Sequence, residues 1–161
     1  MKTKHPEISL LLDIIDQAYE KRAWHGTNLL GSIRGLNVEQ AAWRPGSKRH
    51  NIWEVTVHAA YWKYAVRRRI LGEKRGSFPV KGSNWFRRPV ERTKEAWLAD
   101  VALLDAMHRS MCDAIMNVSP AKLYTSQGNA KNTYAQLIYG IASHDLYHAG
   151  QIQLLKKLQR R

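Results

Sequence analysis

Two histidines near the end of the sequence have a spacing that permits metal binding. His144 and His148 are four residues apart, so on a helix both imidazoles project from one face. Two imidazoles one turn apart can ligate one divalent ion at about 2.0–2.1 Å. This spacing alone is weakly specific, because it often arises by chance at a surface. Both histidines, however, fall within a stripe of apolar positions that predicts a core-facing orientation: Leu137, Ile141, Ile152 and Leu155.

A third histidine, His58, has the equivalent position on a second predicted helix, between Val55 and Trp62. Burying an imidazole without a hydrogen-bond partner is costly. Three inward-facing histidines could therefore hold one metal ion and leave coordination positions open for water or substrate. Each ring could also be a core histidine bonded to a backbone carbonyl or a tyrosine hydroxyl. Spacing alone leaves these two interpretations level.

Four segments with helical periodicity are available to position these histidines, and no segment shows convincing strand alternation. The predicted helices cover about residues 6–33, 51–71, 93–119 and 133–160. Long connections at residues 35–50 and 73–90 permit parallel as well as antiparallel neighbours. We therefore predict an all-α fold, a four-helix bundle formed by a single domain over residues 1–161.

Local signals support these boundaries. Asn51 with Glu54, and Thr133 with Gln136, have the spacing of a capping box at a helix start. The connection at residues 73–90 contains three aromatic side chains: Phe78, Trp85 and Phe86. Since a solvated loop has little use for three aromatic rings, we expect this segment to pack across one end of the bundle.

The charge of the chain is its strongest bulk feature. There are 26 Lys and Arg against 13 Asp and Glu, a net charge of +13. This balance makes nucleic acid or an acidic partner a fair hypothesis. The basic residues are nevertheless spread along the chain, without the spacing of a zinc finger, a leucine zipper or a short helix-turn-helix. Nonspecific nucleic-acid binding and a merely solvated basic surface are both open.

Composition also limits the location of the protein. No apolar run reaches the length of about 18 residues that a membrane-spanning helix needs, so no membrane association is expected. Glu7 and Asp13 interrupt the apolar stretch near the start of the chain, which argues against a signal peptide. Cys112 is the single cysteine, which excludes an internal disulfide framework and suits a reducing compartment. We expect a cytoplasmic protein.

Polar residues on the helix of the histidine pair could support the site. Gln151 follows His148 by three residues and could hydrogen-bond a metal-bound water, or it could mark where the stripe turns to solvent. Asp145 and Tyr147 flank the histidines, and either could orient an imidazole. We expect Asp145 to be exposed to solvent. Gly150 is expected to allow close approach of a neighbouring helix.

Other ionisable residues have weaker links to the site. His25 could supply a fourth polar group, although partial exposure suits it better, and His108 lies near the stripe of the third helix. Glu54 precedes His58 by one turn and could act as a base, but a role in the helix cap also explains it. Cys112 is expected to fill a small space in the core. The sequence contains no Ser-His-Asp arrangement, Gly-rich phosphate loop or HExxH pattern.

The histidine-bearing segments resemble those of a known family. The stretch from His144 to Ile152, with the sequence HDLYHAGQI, resembles the C-terminal motif of the DinB/YfiT-like superfamily. The stretch from Asn51 to His58 resembles the other ligand-bearing segment of that family. Trp97, at the start of the third predicted helix, is also similar to that family. The resemblance implies a four-helix bundle of up-down-down-up order. It also implies a divalent-metal site, most often nickel or zinc, with His58, His144 and His148 as ligands.

The resemblance favours a metal-dependent enzyme of the thiol S-transferase or hydrolase type. In such an enzyme the ion activates a bound water or thiolate, and iron or manganese would also suit three imidazoles. By analogy the resemblance implies a small-molecule substrate such as a low-molecular-weight thiol, although the sequence itself carries no thiol-binding signature. The alternative is a non-enzymatic stress-response or nucleic-acid-binding protein with structural histidines. A homodimer is a further possibility, because six tryptophans leave room for an apolar interface.

Overall fold

The computed structural model describes residues 5–160, which form six α-helices and one short 3-10 helix, with no strand among them. The elements are α1 (Pro6–Tyr19), α2 (Leu29–Ile33), α3 (Val38–Ala42), α4 (Ile52–Leu71), α5 (Lys94–Met116), the 3-10 helix (Pro120–Lys122) and α6 (Tyr134–Leu158). The predicted all-α class is confirmed. The up-down-down-up order stays a prediction.

The predicted first helix over residues 6–33 is wrong, because α1 ends at Tyr19. The backbone N–H groups of Glu20 and Lys21 both donate to the carbonyl of Asp16, at 2.8 Å each, which closes the helix. Helical structure resumes after Asn28, whose side chain accepts a hydrogen bond from the N–H of Gly31 and caps α2.

The connection predicted at residues 35–50 also contains a helix, α3. It begins with a complete capping box, in which Asn37 and Gln40 each accept from the other's backbone N–H. The connection between Leu71 and Lys94, by contrast, has no regular element. Phe86 of this connection is buried, and Phe78 and Trp85 pack against the core. The aromatic rings of this connection therefore pack onto the helices, and its predicted position across one end of the bundle stays a prediction.

The other three predicted helices are present, and their ends carry the expected caps. The Asn51 side chain accepts from the N–H of Glu54 at the start of α4, and Gly72 ends this helix with a left-handed φ of 73°. Thr133 and Gln136 form a complete capping box at the start of α6. Asn51 caps α4 alone, because the Glu54 carboxylate is engaged by Arg44 instead.

The four long helices form a ring of contacts in which α4 packs against α5 and α6, and α1 packs against α6 and α5. One apolar cluster includes Trp53, Trp97 and Leu104, and a second includes Ile15 and Met111. α4 and α6 carry the histidines singled out by the sequence, so their direct contact positions the site. None of the helices in residues 5–160 is both long and apolar enough to cross a bilayer.

Candidate metal centre

Three imidazoles meet between α4 and α6. The Nε2 atom of His144 is 3.2 Å from Nε2 of His58 and 3.1 Å from Nε2 of His148. Imidazole nitrogens that ligate one ion at about 2.0–2.1 Å are separated by about 3.0–3.4 Å in octahedral or tetrahedral geometry. The two separations from His144 therefore match those of imidazoles that ligate a single divalent ion, and the ligand atoms of all three histidines lie within 4.8 Å of one another.

Hydrogen bonds fix the ring orientation of two of these histidines. Nδ1 of His58 lies 2.8 Å from the backbone carbonyl oxygen of Asn84, and Nδ1 of His148 lies 2.7 Å from Oε1 of Gln151. Both partners are acceptors, so each Nδ1 carries the hydrogen and each Nε2 presents a lone pair. His144 can donate a hydrogen from Nε2 to one of these lone pairs, and the other then has no partner. A bound cation would instead accept a lone pair from the Nε2 atom of each of the three histidines.

Burial keeps these imidazoles neutral, which is the ligating form. Loss of solvation lowers the pKa of His58 to about 4, against the opposing effect of the Asn84 carbonyl. Burial, followed by the charges of His148 and His58, lowers the pKa of His144 to about 3. Burial also lowers the pKa of His148. All three rings are therefore available to bind metal at neutral pH.

The connection between α4 and α5 contributes to the site, a role that sequence reasoning missed. Asn84 has a positive φ of 64°; its carbonyl accepts from His58, and its side-chain oxygen accepts from Nε1 of Trp62 at 3.0 Å. The Trp85 ring stacks on His58 with 3.8 Å between centroids and on His50 with 3.6 Å. The aromatic content of this connection indicated packing, but no sequence signal placed Trp85 over His58.

The three supporting residues proposed from the sequence differ in their contacts with the histidines. Gln151 hydrogen-bonds His148 directly. Tyr147 is 64% exposed and meets the His148 ring edge-on, at 5.2 Å between centroids. His25 is exposed, in the segment between α1 and α2, and does not join the three histidines.

Two expectations about α6 are wrong. Asp145 is fully buried, not exposed, and accepts a hydrogen bond from Lys63 of α4. The cause is that α6 packs against α1, α2 and α4, so more than one of its faces is covered. Gly150 is exposed, and a Cβ at that position would meet nothing within 4 Å. It therefore permits no close helix contact.

Glu54 anchors the segment that covers the site. Its carboxylate accepts from Arg44 at 2.8 Å, from the N–H of Arg88 at 3.3 Å, and lies 3.0 Å from Nδ1 of His50. Burial acts to raise the pKa of Glu54, but the hydrogen bonds from Arg44, His50 and Arg88 outweigh it, so the net pKa is lowered. Glu54 therefore holds the connection between α4 and α5 as a carboxylate. It has no free lone pairs directed at His58, His144 or His148.

Substituting Glu54 by glutamine should lower the free energy of unfolding at pH 7 by about 1.5–3 kcal/mol, because charged hydrogen bonds are lost. A lowered folded-state pKa means that the stabilisation is present above the unfolded value of about 4.3 and is lost as pH falls through the folded pKa. The difference between wild type and Glu54→Gln should thus shrink as pH falls below about 4. Urea unfolding measured from pH 7 to below about 4 checks this difference in stability, with the exposed Glu91→Gln variant as control. A difference that does not change with pH would contradict the assigned role.

The fold and the site define a class: an all-helical protein with a buried group of three histidines compatible with metal binding. Residues 22–152 match the family model described as the DinB superfamily. This match covers most of the chain and includes all three histidines, so the chain belongs to the DinB superfamily. Comparisons with curated proteins and with solved structures give no match.

Proposed function

We propose that His58, His144 and His148 bind one divalent metal ion and that the protein is a metal-dependent enzyme. The observation that carries the proposal is the position of His144 Nε2, which lies 3.2 Å from Nε2 of His58 and 3.1 Å from Nε2 of His148, with the Nε2 lone pairs of these two rings facing it. Nickel and zinc are the preferred ions, and iron or manganese would also suit three imidazoles. When bound, such an ion lowers the pKa of a ligated water or thiol and keeps it as a nucleophile.

A cleft beside the histidines offers room for a small-molecule substrate. Its volume is about 530 Å³, within the usual range for ligand sites. Trp85 and Gln151 line it, and these same residues contact His58 and His148. The remaining wall combines apolar side chains with basic ones: Pro45, Val55, Leu154, Leu155, Leu158, Arg49 and His50. This lining suits a substrate with an apolar body and an anionic group.

The proposed reaction is thiol S-transfer, with hydrolysis as the variant in which water replaces the thiol. In the transfer, the thiolate sulfur forms a bond to an electrophilic carbon, the leaving group departs with its electron pair, and the thiol proton passes to solvent. Within the protein, Asn84 and Gln151 hold the ligand rings, while Trp85 shields His58 from solvent. Arg49, at the cleft, would pair with an anionic group of the thiol.

The test is thioether formation from small thiols and a fluorogenic alkyl halide, using protein loaded with nickel or zinc. Wild type should accelerate the reaction when metal is present. His144→Ala should lose that acceleration, and exposed His25→Ala should keep it. Equal rates for metal-loaded wild type and His144→Ala would overturn the transferase proposal, and release of alcohol without thiol consumption would identify the hydrolase variant.

Gln151 should control metal affinity, because ligating imidazoles depend on the acceptor at their other nitrogen. Gln151→Leu removes the acceptor that holds Nδ1–H of His148. We expect nickel affinity, measured by calorimetric titration, to fall about 10–100-fold. Gln153→Leu, two residues further along α6, is the matched control and should leave the affinity unchanged. Equal affinities for the two variants would show that Gln151 does not support the site.

A second candidate function, nonspecific nucleic-acid binding, is favoured by basic clusters outside the histidine site. One cleft is lined by Arg68, Arg69, Arg75 and Lys131, and another by Arg44, Arg87, Arg88 and Arg92. Binding of this kind would ignore sequence and fall linearly in log affinity with log salt. Sequence-independent binding that disappears at moderate salt would support this function, and its absence at low salt would exclude it.

Self-association and cellular location also belong to this proposal. A homodimer would use apolar side chains that are exposed in the chain, among them Leu10, Ile14 and Trp24. Sedimentation showing a single 18.6 kDa species would exclude the dimer. Cytoplasmic location is the expectation for an enzyme whose substrate is a low-molecular-weight thiol, and fractionation of cells checks it.

A further inference from the structure

A second group of metal-ligand side chains lies away from the three histidines, between α1 and α5. Oδ1 of Asp16 is 3.6 Å from Nε2 of His108, and Sγ of Cys112 is 3.6 Å from the same nitrogen. His108 and Cys112 are one turn apart on α5, and Asp16 belongs to α1. His108 is fully buried, Cys112 is partly buried, and the Asp16 side chain is 22% exposed. Three ligand-type side chains thus lie close together, and the Asp16 side chain reaches solvent.

Hydrogen bonding accounts for only part of this arrangement, because the contact of Cys112 Sγ with His108 Nε2 is a weak hydrogen bond and the Asp16 contact is not one. An N–H to oxygen hydrogen bond has a length of about 2.7–3.2 Å, shorter than the Asp16 contact. Burial, followed by the charges of Lys63 and Arg109, lowers the pKa of His108 to about 2. A Cys-His-Asp relay would place the acid on the opposite ring nitrogen. Here the acid and the thiol approach the same nitrogen.

The separations do fit ligands of one tetrahedral ion. Zinc bonds of about 2.0–2.2 Å to nitrogen and oxygen and about 2.3 Å to sulfur place nitrogen about 3.4 Å from oxygen and about 3.5 Å from sulfur. The observed separations from His108 Nε2 are 3.6 Å in both cases. All three ligand atoms lie within 4.8 Å of one another. The cluster is therefore sized for a central cation.

Neighbouring contacts hold two of the ligands in place. The ring of Tyr19 stacks on His108 at 3.7 Å between centroids and fixes the plane of the imidazole. The second carboxylate oxygen of Asp16 accepts from Lys21 at 2.7 Å, which leaves Oδ1 directed at His108. Nearby Lys63 is held in an ion pair with Asp145. None of these residues belongs to the three-histidine group.

We propose that Asp16, His108 and Cys112 form a second metal site, which takes one zinc-class divalent ion and leaves one position for water. Thiolate, imidazole and carboxylate are all zinc ligands, and three protein ligands with one open position is a known zinc arrangement. Binding releases the Cys112 thiol proton to solvent, so that thiolate and carboxylate together balance the charge of the ion. Burial and the Asp16 carboxylate raise the pKa of Cys112 to about 12.

Cobalt(II) titration tests this site, because a cobalt–thiolate bond gives a charge-transfer band in the near ultraviolet that three imidazoles do not give. Wild type should show this band, and one further cobalt should bind without adding to it. The band should be lost in Cys112→Ser, which should still bind one cobalt at the histidines. It should persist in the His58→Ala, His144→Ala, His148→Ala variant. These two variants separate failure of this site from failure of the three-histidine site.

Asp16→Asn supplies a second variant, a substitution of similar size at a partly exposed position. We expect its cobalt affinity at the thiolate site to fall roughly tenfold or more, with circular dichroism unchanged. Absence of the thiolate band in saturated, folded wild type would overturn the proposal. So would a band that survives Cys112→Ser, or an affinity for the thiolate-bound cobalt that Asp16→Asn leaves unchanged.

Discussion

Substituting Lys63 by methionine should lower the free energy of unfolding by about 3–5 kcal/mol. Lys63 donates a hydrogen bond to Asp145, and their side chains are 0% and 1% exposed. Removing the ammonium leaves a buried carboxylate without a counter-ion, and Oδ1 of Asp145 already has no hydrogen-bond partner in the described residues. This ion pair joins α4 to α6, the two helices that carry the metal-site histidines, so its loss should also weaken metal binding.

The double variant Lys63→Met, Asp145→Leu separates the buried charge from lost packing. Replacing both members by apolar groups of similar volume is often neutral or stabilising, so most of the lost stability should return. Arg109→Met is the control at an exposed ion pair, because Arg109 is 49% exposed and pairs with Glu20. Its cost should stay below about 1 kcal/mol. Urea unfolding measures all three, and a Lys63→Met variant no less stable than Arg109→Met would contradict the account.

Nickel at about 100 times its dissociation constant should stabilise the protein by about 2.7 kcal/mol, since the ion binds the folded chain and not the unfolded one. For a chain of this length, that corresponds to a rise in Tm of about 5–11 °C. The measurement is best made in a Cys112→Ser background, where the cluster on α1 and α5 lacks its thiol. Only the three histidines then contribute to the shift.

Two single variants sharpen the stability measurement. His144→Ala removes the imidazole whose Nε2 contacts both of the others, and it should abolish most of the nickel-induced rise in Tm. His25→Ala removes an exposed histidine outside the group and should leave the rise intact. Equal shifts in these two variants would show that nickel binds elsewhere.

Helical periodicity predicted α4, α5 and α6, but it placed the end of α1 wrongly, because residues beyond the end of that helix keep the same apolar spacing. Leu29 and Ile33 continue the apolar spacing of α1, so a count of positions cannot reveal that the helix stops at Tyr19. The helix ends because the Asp16 carbonyl accepts hydrogen bonds from two N–H groups. This local hydrogen bonding leaves no trace in the periodicity of the sequence. Asn37 and Gln40 did carry a capping signature that marks the start of α3.

The sequence predicted the three histidines of the candidate site, but it predicted few of the residues that hold them in place. Spacing and motif together indicated the three histidines, because one helical turn and one apolar stripe are local properties. Asn84 supports His58 from 26 positions along the chain, through an irregular segment whose path no period describes. Asp145 was misplaced because the pattern assigned one buried face to a helix that packs on three neighbours. Long-range packing decided both cases.

Anomalous diffraction from crystals grown with nickel, recorded on both sides of the nickel absorption edge, tests the central claim most directly. The account predicts one strong anomalous peak between α4 and α6, about 2.0–2.1 Å from Nε2 of each of His58, His144 and His148. Crystals of His144→Ala grown in the same way should lose that peak. A nickel-saturated crystal with no anomalous peak within bonding distance of these three nitrogens would contradict it.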